Sequence, residues 1–431
     1  MYIKRVELSD VKSFKNAQFD FCPEEGQYAG WAVITGDNGA GKTALLRAIA
    51  LALLGPDQSR GLVQDFSGWA QTGEERGAVS VEVKPHHEWD STRRGGAPLR
   101  GTFWAEIQIY SEDNVWRLAP VDIRRNKRVS AQNGPWQPST NGWFSLGYGP
   151  FRRLYGSSPD AQRLMVLPGR VPHYATLFKE DATLGEGEEW IKDLQYQHLE
   201  EQSRREQDGR AGRQLAGLLM LLNDHFLRQG AAVEEVNSQG VWLRDAAGRR
   251  IALSDMSEGY RAALAMLIDI FRHMSMVYGP DIVASQADGS VFVARPGVVL
   301  IDEVDAHLHP DWQRDIGFWL KSHFPNVQFI VTTHSPLVCP AADYGRIYHL
   351  PQPGKGEAFR LSTEDYNEVV AGKPDEILLT PAFGLQQTRS PRAVRARNRH
   401  ALLQGKRLTV GLSADETREL EQLALFAASG T

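Results

Sequence analysis

Gly36-Asp37-Asn38-Gly39-Ala40-Gly41-Lys42-Thr43 carries the most specific chemistry in the chain. Its pattern, G-x-x-x-x-G-K-T, predicts a phosphate-binding loop. Glycines let the backbone turn sharply and bring several N–H groups onto phosphate oxygens. Lys42 can reach the terminal phosphates, and the Thr43 hydroxyl can ligate Mg²⁺. A chance glycine-rich turn would lack the flanks found here. An apolar strand candidate, Trp31 to Thr35, leads in, and the apolar helix candidate "ALLRAIALALLG" follows. The helix N-terminus adds its positive dipole end. ATP or GTP binding follows from this arrangement.

The second acid-bearing segment is "PGVVLIDEVDAHLHP". Val298 to Ile301 is a continuous apolar run, as a buried parallel strand requires. It ends in Asp302-Glu303. In a doubly wound sheet, ligands sit at the carboxyl ends of strands. Asp302 is therefore expected to hold Mg²⁺ through water, and Glu303 to polarise an attacking water as general base. "NVQFIVTTHSPLV" supplies another strand, Val327 to Val331, with Thr332, Thr333 and His334 at its end. The helix "PDWQRDIGFWLKSHF" separates the two strands, which puts His334 on the same sheet edge, near the γ-phosphate.

The elements that must position these residues belong to an ordinary globular chain. It has 431 residues, 42% of them hydrophobic and 23% charged, with a formal net charge of -5. That balance excludes a general attraction for nucleic acid and leaves only local patches. Two cysteines far apart, Cys22 and Cys339, give neither a disulfide framework nor a cysteine-rich zinc site. The opening "MYIKRVELSD" lacks the apolar core of a signal peptide, and the greasiest helix contains Arg47. A soluble cytoplasmic protein without a membrane partner is expected.

The order phosphate loop, "MSEGYR", "VVLIDE", "HLHP", "TTHSP" resembles the ABC-type ATPases of the SMC, RecF and overcoming-lysogenization-defect group. It is similar in particular to the compact ATP-binding proteins of bacterial anti-phage systems such as Septu. The N-terminal "LSDVKSFKN" fits as well. The resemblance covers residues 1 to about 60 and about 250 to 340. It implies an α/β fold: an ABC-type P-loop ATPase head with a mixed or parallel sheet. It also implies ATP and Mg²⁺ as ligands, with hydrolysis of ATP to ADP and phosphate.

By the same resemblance, Gly36 to Thr43 would be the Walker A motif, with Lys12 and Phe14 on an early strand approaching the nucleotide. Asp302 would be the Walker B aspartate, Glu303 the catalytic glutamate and His334 the switch histidine. Ser257, Glu258 and Gly259 would align with the signature motif, which reaches the γ-phosphate held by a second copy of the chain. A side chain at Gly259 would then obstruct a phosphate, and Ser257 also suits a helix N-cap. Glu258 stands where the family has glycine, and Tyr260 where it has glutamine. No glutamine marks the Q-loop. "SLGYGPFRRLYG" occupies its place, with Tyr148 to Arg153 as candidates.

Four regions are expected. Residues 1–160 form a first ATPase lobe with a β-rich insertion, and 161–245 a short helical subdomain. Residues 246–345 form a second lobe with signature, Walker B and switch histidine. Residues 346–431 form an α-helical tail for a partner or nucleic acid. In the subdomain, Trp190, Leu194 and Leu199 fall near one helix face. In the tail, Arg392, Arg395, Arg397 and Arg399 are candidate phosphate-backbone or partner contacts within a run free of acids. A solvated helix is the plainer reading, since no aromatic residues interleave. "RRNKR" at 124–128 is a weaker basic patch. His307 and His309 have a spacing that zinc could use, and "KPHHEWD" at 84–90 reads as a solvated loop.

The function these features point to is an ATPase that dimerises on ATP. It would act as a homodimer, or a higher oligomer of dimers, regulating an effector, expected to be a nuclease, in anti-phage defence. The alternative is a RecF- or SMC-like clamp acting directly on DNA. A transporter subunit fits poorly, because "VDAHLHP" is unlike the transporter spelling after Walker B.

Overall fold

The computed structural model describes residues 1–22, 24, 26–92, 101–121, 130–138, 140–206, 209–227 and 230–427. The candidate patch at 124–128 lies outside the described residues.

Five parallel strands and one antiparallel edge strand build the central sheet. Its order is Phe359–Arg360, Arg346–Leu350, Gly30–Gly36, Val327–Thr332, Gly297–Ile301, Ser145–Tyr148. Side chains alternate between the two faces of a strand. Ala32, Ile34, Val298, Leu300 and Ile330 enter one core; Trp31, Val33, Val299, Ile301, Phe329 and Val331 enter the other. Both faces are covered, so these strands read as unbroken apolar runs rather than alternating ones.

A second sheet is antiparallel, in the order Phe14–Asp20, Tyr2–Val11, Arg76–Lys84, Phe103–Glu112, Val115–Pro120. It contains the β-rich extension expected after residue 78. The helix Lys42–Leu54 lies in the core shared by the two sheets, and Ala48, Ala50 and Ala52 are buried along with its leucines. A helix apolar all round must be enclosed. Its alanines keep it thin enough to sit between the sheets.

On the other face of the central sheet lie Glu258–Tyr278 and Pro310–His323. The helices Gly185–Ser203 and Arg210–Asn223 join that core and form the expected pair. Their buried face is not quite the expected one. Ile191 and Leu194 are buried, but Leu199 is 52% exposed. A short antiparallel ribbon, Ala232–Asn237, Gly240–Arg244 and Arg250–Ala252, then leads to the helix at Glu258.

"KPHHEWD" is only partly solvated. Asp90 is buried and accepts from the backbone N–H groups of Trp143 at 2.6 Å and His86 at 2.7 Å. Past residue 345 the chain first adds the strand Arg346–Leu350 beside the phosphate-loop strand. It ends in a hairpin of two helices, Pro391–Thr409 and Ala414–Ala427. Ser390 caps the first helix through the Ala393 N–H, and Ser413 and Glu416 form a reciprocal capping box on the second. Among the described residues, no helix is long and apolar enough to cross a membrane.

Candidate functional site

The phosphate loop joins the strand Gly30–Gly36 to the helix Lys42–Leu54. Gly36, Gly39 and Gly41 all have positive φ, at 144°, 78° and 101°. Two of them are also fixed by space. A Cβ on Gly36 would lie 2.3 Å from the Leu350 carbonyl oxygen, and one on Gly41 would lie 2.5 Å from Ser13 Oγ and 3.0 Å from the Phe14 ring. Phe14 therefore supports the loop from beneath and is itself buried. Lys12 reaches the open side. Its ammonium stands 4.8 Å from the centre of the Trp69 ring.

The loop opens on a cleft of about 620 Å³, lined by Asn38 to Ala44, Lys12, Arg47, Glu303 and His334, among others. Lys12, Lys42, Arg47 and Lys179 all line it. Burial lowers the pKa of Lys12, with Arg47 adding to the effect. Burial likewise lowers Lys42, against the opposing pull of Asp302 and Glu303, and it lowers Arg47. Cations held at such a cost gain from an arriving anion, which suits a polyphosphate. Lys42 Nζ donates to the carbonyls of Gly36 at 2.7 Å and Asp37 at 3.0 Å, and so stays within the loop.

At the end of the strand Gly297–Ile301, Asp302 is 1% exposed. It accepts from Thr43 Oγ1 and from Thr332 Oγ1, both at 2.6 Å. Thr332 Oγ1 also accepts the Glu303 N–H at 2.7 Å. One hydroxyl thus ties the two acids to the neighbouring strand. Glu303 has a left-handed φ of 46°, a conformation that a non-glycine residue holds only when its surroundings impose it. Thr43 and Asp302 supply adjacent hard oxygen donors, a set that fits Mg²⁺ bound through water.

The loop of His334 is cross-linked to the turn after Glu303. Thr333 Oγ1 donates to Asp305 at 2.5 Å, and Ser335 Oγ donates to Gln313 Oε1 at 2.7 Å. His334 itself is exposed in the cleft. Sequence reasoning gave Thr332 no role and named Arg152 only within the Q-loop candidates Tyr148 to Arg153. Their signals were a Thr-Thr pair directly before the histidine and an arginine among the Q-loop candidates. Arg152 is buried beneath the Walker B turn, and Tyr148 donates to Asp269 at 2.8 Å.

Ser257, Glu258 and Gly259 do not line this cleft. They open the helix Glu258–Tyr278, and Ser257 and Glu258 are exposed. Ser257 occupies the N-cap position but makes no side-chain cap bond, contrary to its expected role. Gly259 is buried against the turn of His307 and Leu308. His307 Nδ1 is 3.9 Å from the Glu258 carboxylate, and His309 Nδ1 accepts from the Asp311 N–H at 3.3 Å as a helix cap. Among the described residues no group of three or more His, Cys, Asp or Glu is placed to hold a metal ion.

In the terminal hairpin, Arg399 forms a two-pronged pair with Glu419 at 2.9 and 2.8 Å. Lys406 pairs with Glu416 at 2.6 Å. Arg392 and Arg395 are exposed, and Arg397 is half-buried. The acid-free run in sequence thus meets its acids in space.

Residues 119–339, more than half of the chain, match the family described as "AAA domain, putative AbiEii toxin, Type IV TA system". The chain belongs to this family. Residues 5–130 match a further family described as "AAA domain". The matched ranges together include the phosphate loop, the acid pair and His334.

Among curated relatives, the Septu protein PtuA of Bacillus mycoides (strain KBAB4) is 24% identical over 90% of this chain and 45% of its own length. The Retron Ec83 "probable ATPase" of Escherichia coli is 41% identical over 25% of this chain and 18% of its own length. The chain therefore spans less than half of these relatives. Among solved structures, an SMC head bound to the C-winged helix domain of ScpA has a TM-score of 0.47 at 17% identity, covering 85% of this chain and 100% of that one.

Proposed function

We propose that this family member binds and hydrolyses ATP, dimerises when ATP is bound, and regulates a partner effector, a nuclease, in bacterial anti-phage defence. The constellation Thr43–Asp302–Thr332–Glu303, with His334 on the same cleft, carries this reading. Phosphates would lie on the N–H groups of residues 38 to 43, with Lys42 leaving its loop carbonyls for them. Bound Mg²⁺ would neutralise charge developing on the phosphates. Thr43 and Asp302 would hold it, Glu303 would orient and deprotonate the attacking water, and His334 would contact the γ-phosphate. Ser257 to Gly259 would act on the nucleotide of a second copy, consistent with their exposure at a helix start outside this chain's own cleft.

The defence role draws on the relatives, a Septu protein and a retron ATPase. A second reading, direct action on DNA, is favoured by a match to the DNA replication and repair protein RecF of Stenotrophomonas maltophilia. That match is 30% identical over 37% of this chain and 41% of the relative.

Glu303→Gln tests the chemistry. Its kcat is expected to fall by about 10² to 10⁴ while ATP remains bound and dimers accumulate in size-exclusion chromatography. Lys42→Ala is expected to lose nucleotide binding. Normal turnover by the Glu303 variant overturns the assignment. Purification with the products of neighbouring genes then separates the two roles: a stable nuclease complex supports regulation, and a lone dimer stimulated only by DNA ends supports the clamp.

A further inference from the structure

Arg152 sits where a guanidinium is costly. It is 4% exposed, and burial pulls its pKa down to about 10 although Asp302, Asp305 and Glu303 pull the other way. Its hydrogen bonds go to backbone carbonyls. Nη1 donates to Gly149 at 3.0 Å and to Asp302 at 2.9 Å; Nη2 donates to Glu303 at 3.1 Å and to Val304 at 3.4 Å.

Three of those carbonyls are consecutive, and the first two, of Asp302 and Glu303, flank the left-handed Cα of Glu303. The chain leaves the sheet here, so these oxygens lose the regular ladder and take other donors; the Glu303 carbonyl also accepts from the Ala306 N–H at 2.9 Å. A planar guanidinium with five N–H groups in a rigid fork can serve a fan of carbonyls at once; an ammonium cannot hold the same planes. Fixing the peptide planes on both sides of Glu303 fixes the direction of its Cα–Cβ bond, from which the carboxylate extends.

We propose that Arg152 is a positioning residue that aims the Glu303 carboxylate into the phosphate cleft. This rests on the hydrolytic reading above. The arginine takes its own position from rigid neighbours. The strand Ser145–Tyr148 pairs with Gly297–Ile301, the Asp302 N–H donates to the Tyr148 carbonyl at 2.8 Å, and the Leu184 N–H donates to the Arg153 carbonyl at 2.7 Å. Gly149 permits the close turn between strand and arginine, since a Cβ there would lie 2.2 Å from the Thr176 carbonyl oxygen. The turn that carries Glu303 is thus gripped from both sides, by the edge strand through Arg152 and by the strand Val327–Thr332 through Thr332.

The test compares Arg152→Lys and Arg152→Gln with wild type. In nucleotide-free protein, hydrogen exchange of the peptide 302–308 should accelerate while the peptide 36–46 keeps its protection. With nucleotide, Kd and KM should stay within about threefold and kcat should fall about ten- to hundredfold; Lys, which keeps the charge and a third N–H donor that Gln lacks, should be the milder variant. Unchanged kcat with unchanged exchange overturns the proposal. So does a loss of protection spread over both peptides, or failure of both variants to fold, because Arg152 is then a general structural residue. Glu303→Gln separates the two claims. If wild type turns over ATP no faster than Glu303→Gln, the hydrolytic reading fails, and the exchange measurement still reads the grip of Arg152 on the turn.

Discussion

A Cβ built on Gly259 would stand 2.2 Å from the carbonyl oxygen of His307. The helix start that resembles an ABC signature is therefore packed against the turn that follows Walker B in its own chain. The glycine is required by that contact before any ligand arrives. Gly259→Ala is expected to cost about 1–3 kcal/mol through overpacking, read as a lower urea midpoint without nucleotide. Ser257→Ala, at an exposed position without a cap bond, should stay within about 0.5 kcal/mol and instead weaken ATP-dependent dimerisation. Equal stability of Gly259→Ala and wild type would mean that the contact is slack.

A buried histidine pair predicts how stability depends on pH. His273 Nδ1 lies 3.2 Å from the Asp269 carboxylate, and the His173 ring packs 4.6 Å from the His273 ring. Burial alone would lower His273, but Asp269 outweighs it and the net shift is upward, with Arg272 opposing. Burial, then His273, pushes His173 well down. A raised histidine stabilises fully below its unfolded pKa of about 6.5 and loses that contribution as pH rises through its folded pKa. A lowered histidine does the reverse, contributing above about 6.5 and losing it as pH falls. Thermal melts across about pH 5.5 to 8.5 should show His273→Gln removing the alkaline decline and His173→Gln the acid one. Curves parallel to wild type would sink the assignment.

The terminal hairpin predicts unequal arginines. Arg399 is already committed to Glu419, whereas Arg395 is exposed without an ion pair among the described residues. If the run contacts nucleic acid, Arg395→Glu should reduce the salt dependence of duplex binding by about one phosphate contact, and Arg399→Ala should act mainly on the packing of the two helices. Binding isotherms at several salt concentrations measure this. Identical salt slopes for wild type and Arg395→Glu would remove nucleic acid from the role of this helix.

Local pattern alone made the chemistry legible. Glycine spacing, an apolar run ending in two acids, and a second run ending in Thr-Thr-His each declare a strand, a turn and a reactive group within a few residues. Backbone geometry and side-chain alternation act over that same short range, so Gly36 to Thr43, Asp302, Glu303 and His334 could be assigned to one sheet edge. Arg152 could not be read in this way, because its partners are carbonyls, which every residue carries. The ion pairs of the basic helix were illegible for a related reason: Glu419, which pairs with Arg399, and Glu416, which pairs with Lys406, come from the next helix and meet it only when the hairpin closes. Periodicity put Leu199 near one face with Trp190 and Leu194, yet it is left half exposed while Leu194 is buried. The sequence by itself determined which groups were expected to bind phosphate and activate water, since those demands are local. Tertiary structure alone decided what holds Glu303 in a left-handed turn and what occupies the space beside Gly259, because both depend on atoms brought together across the fold.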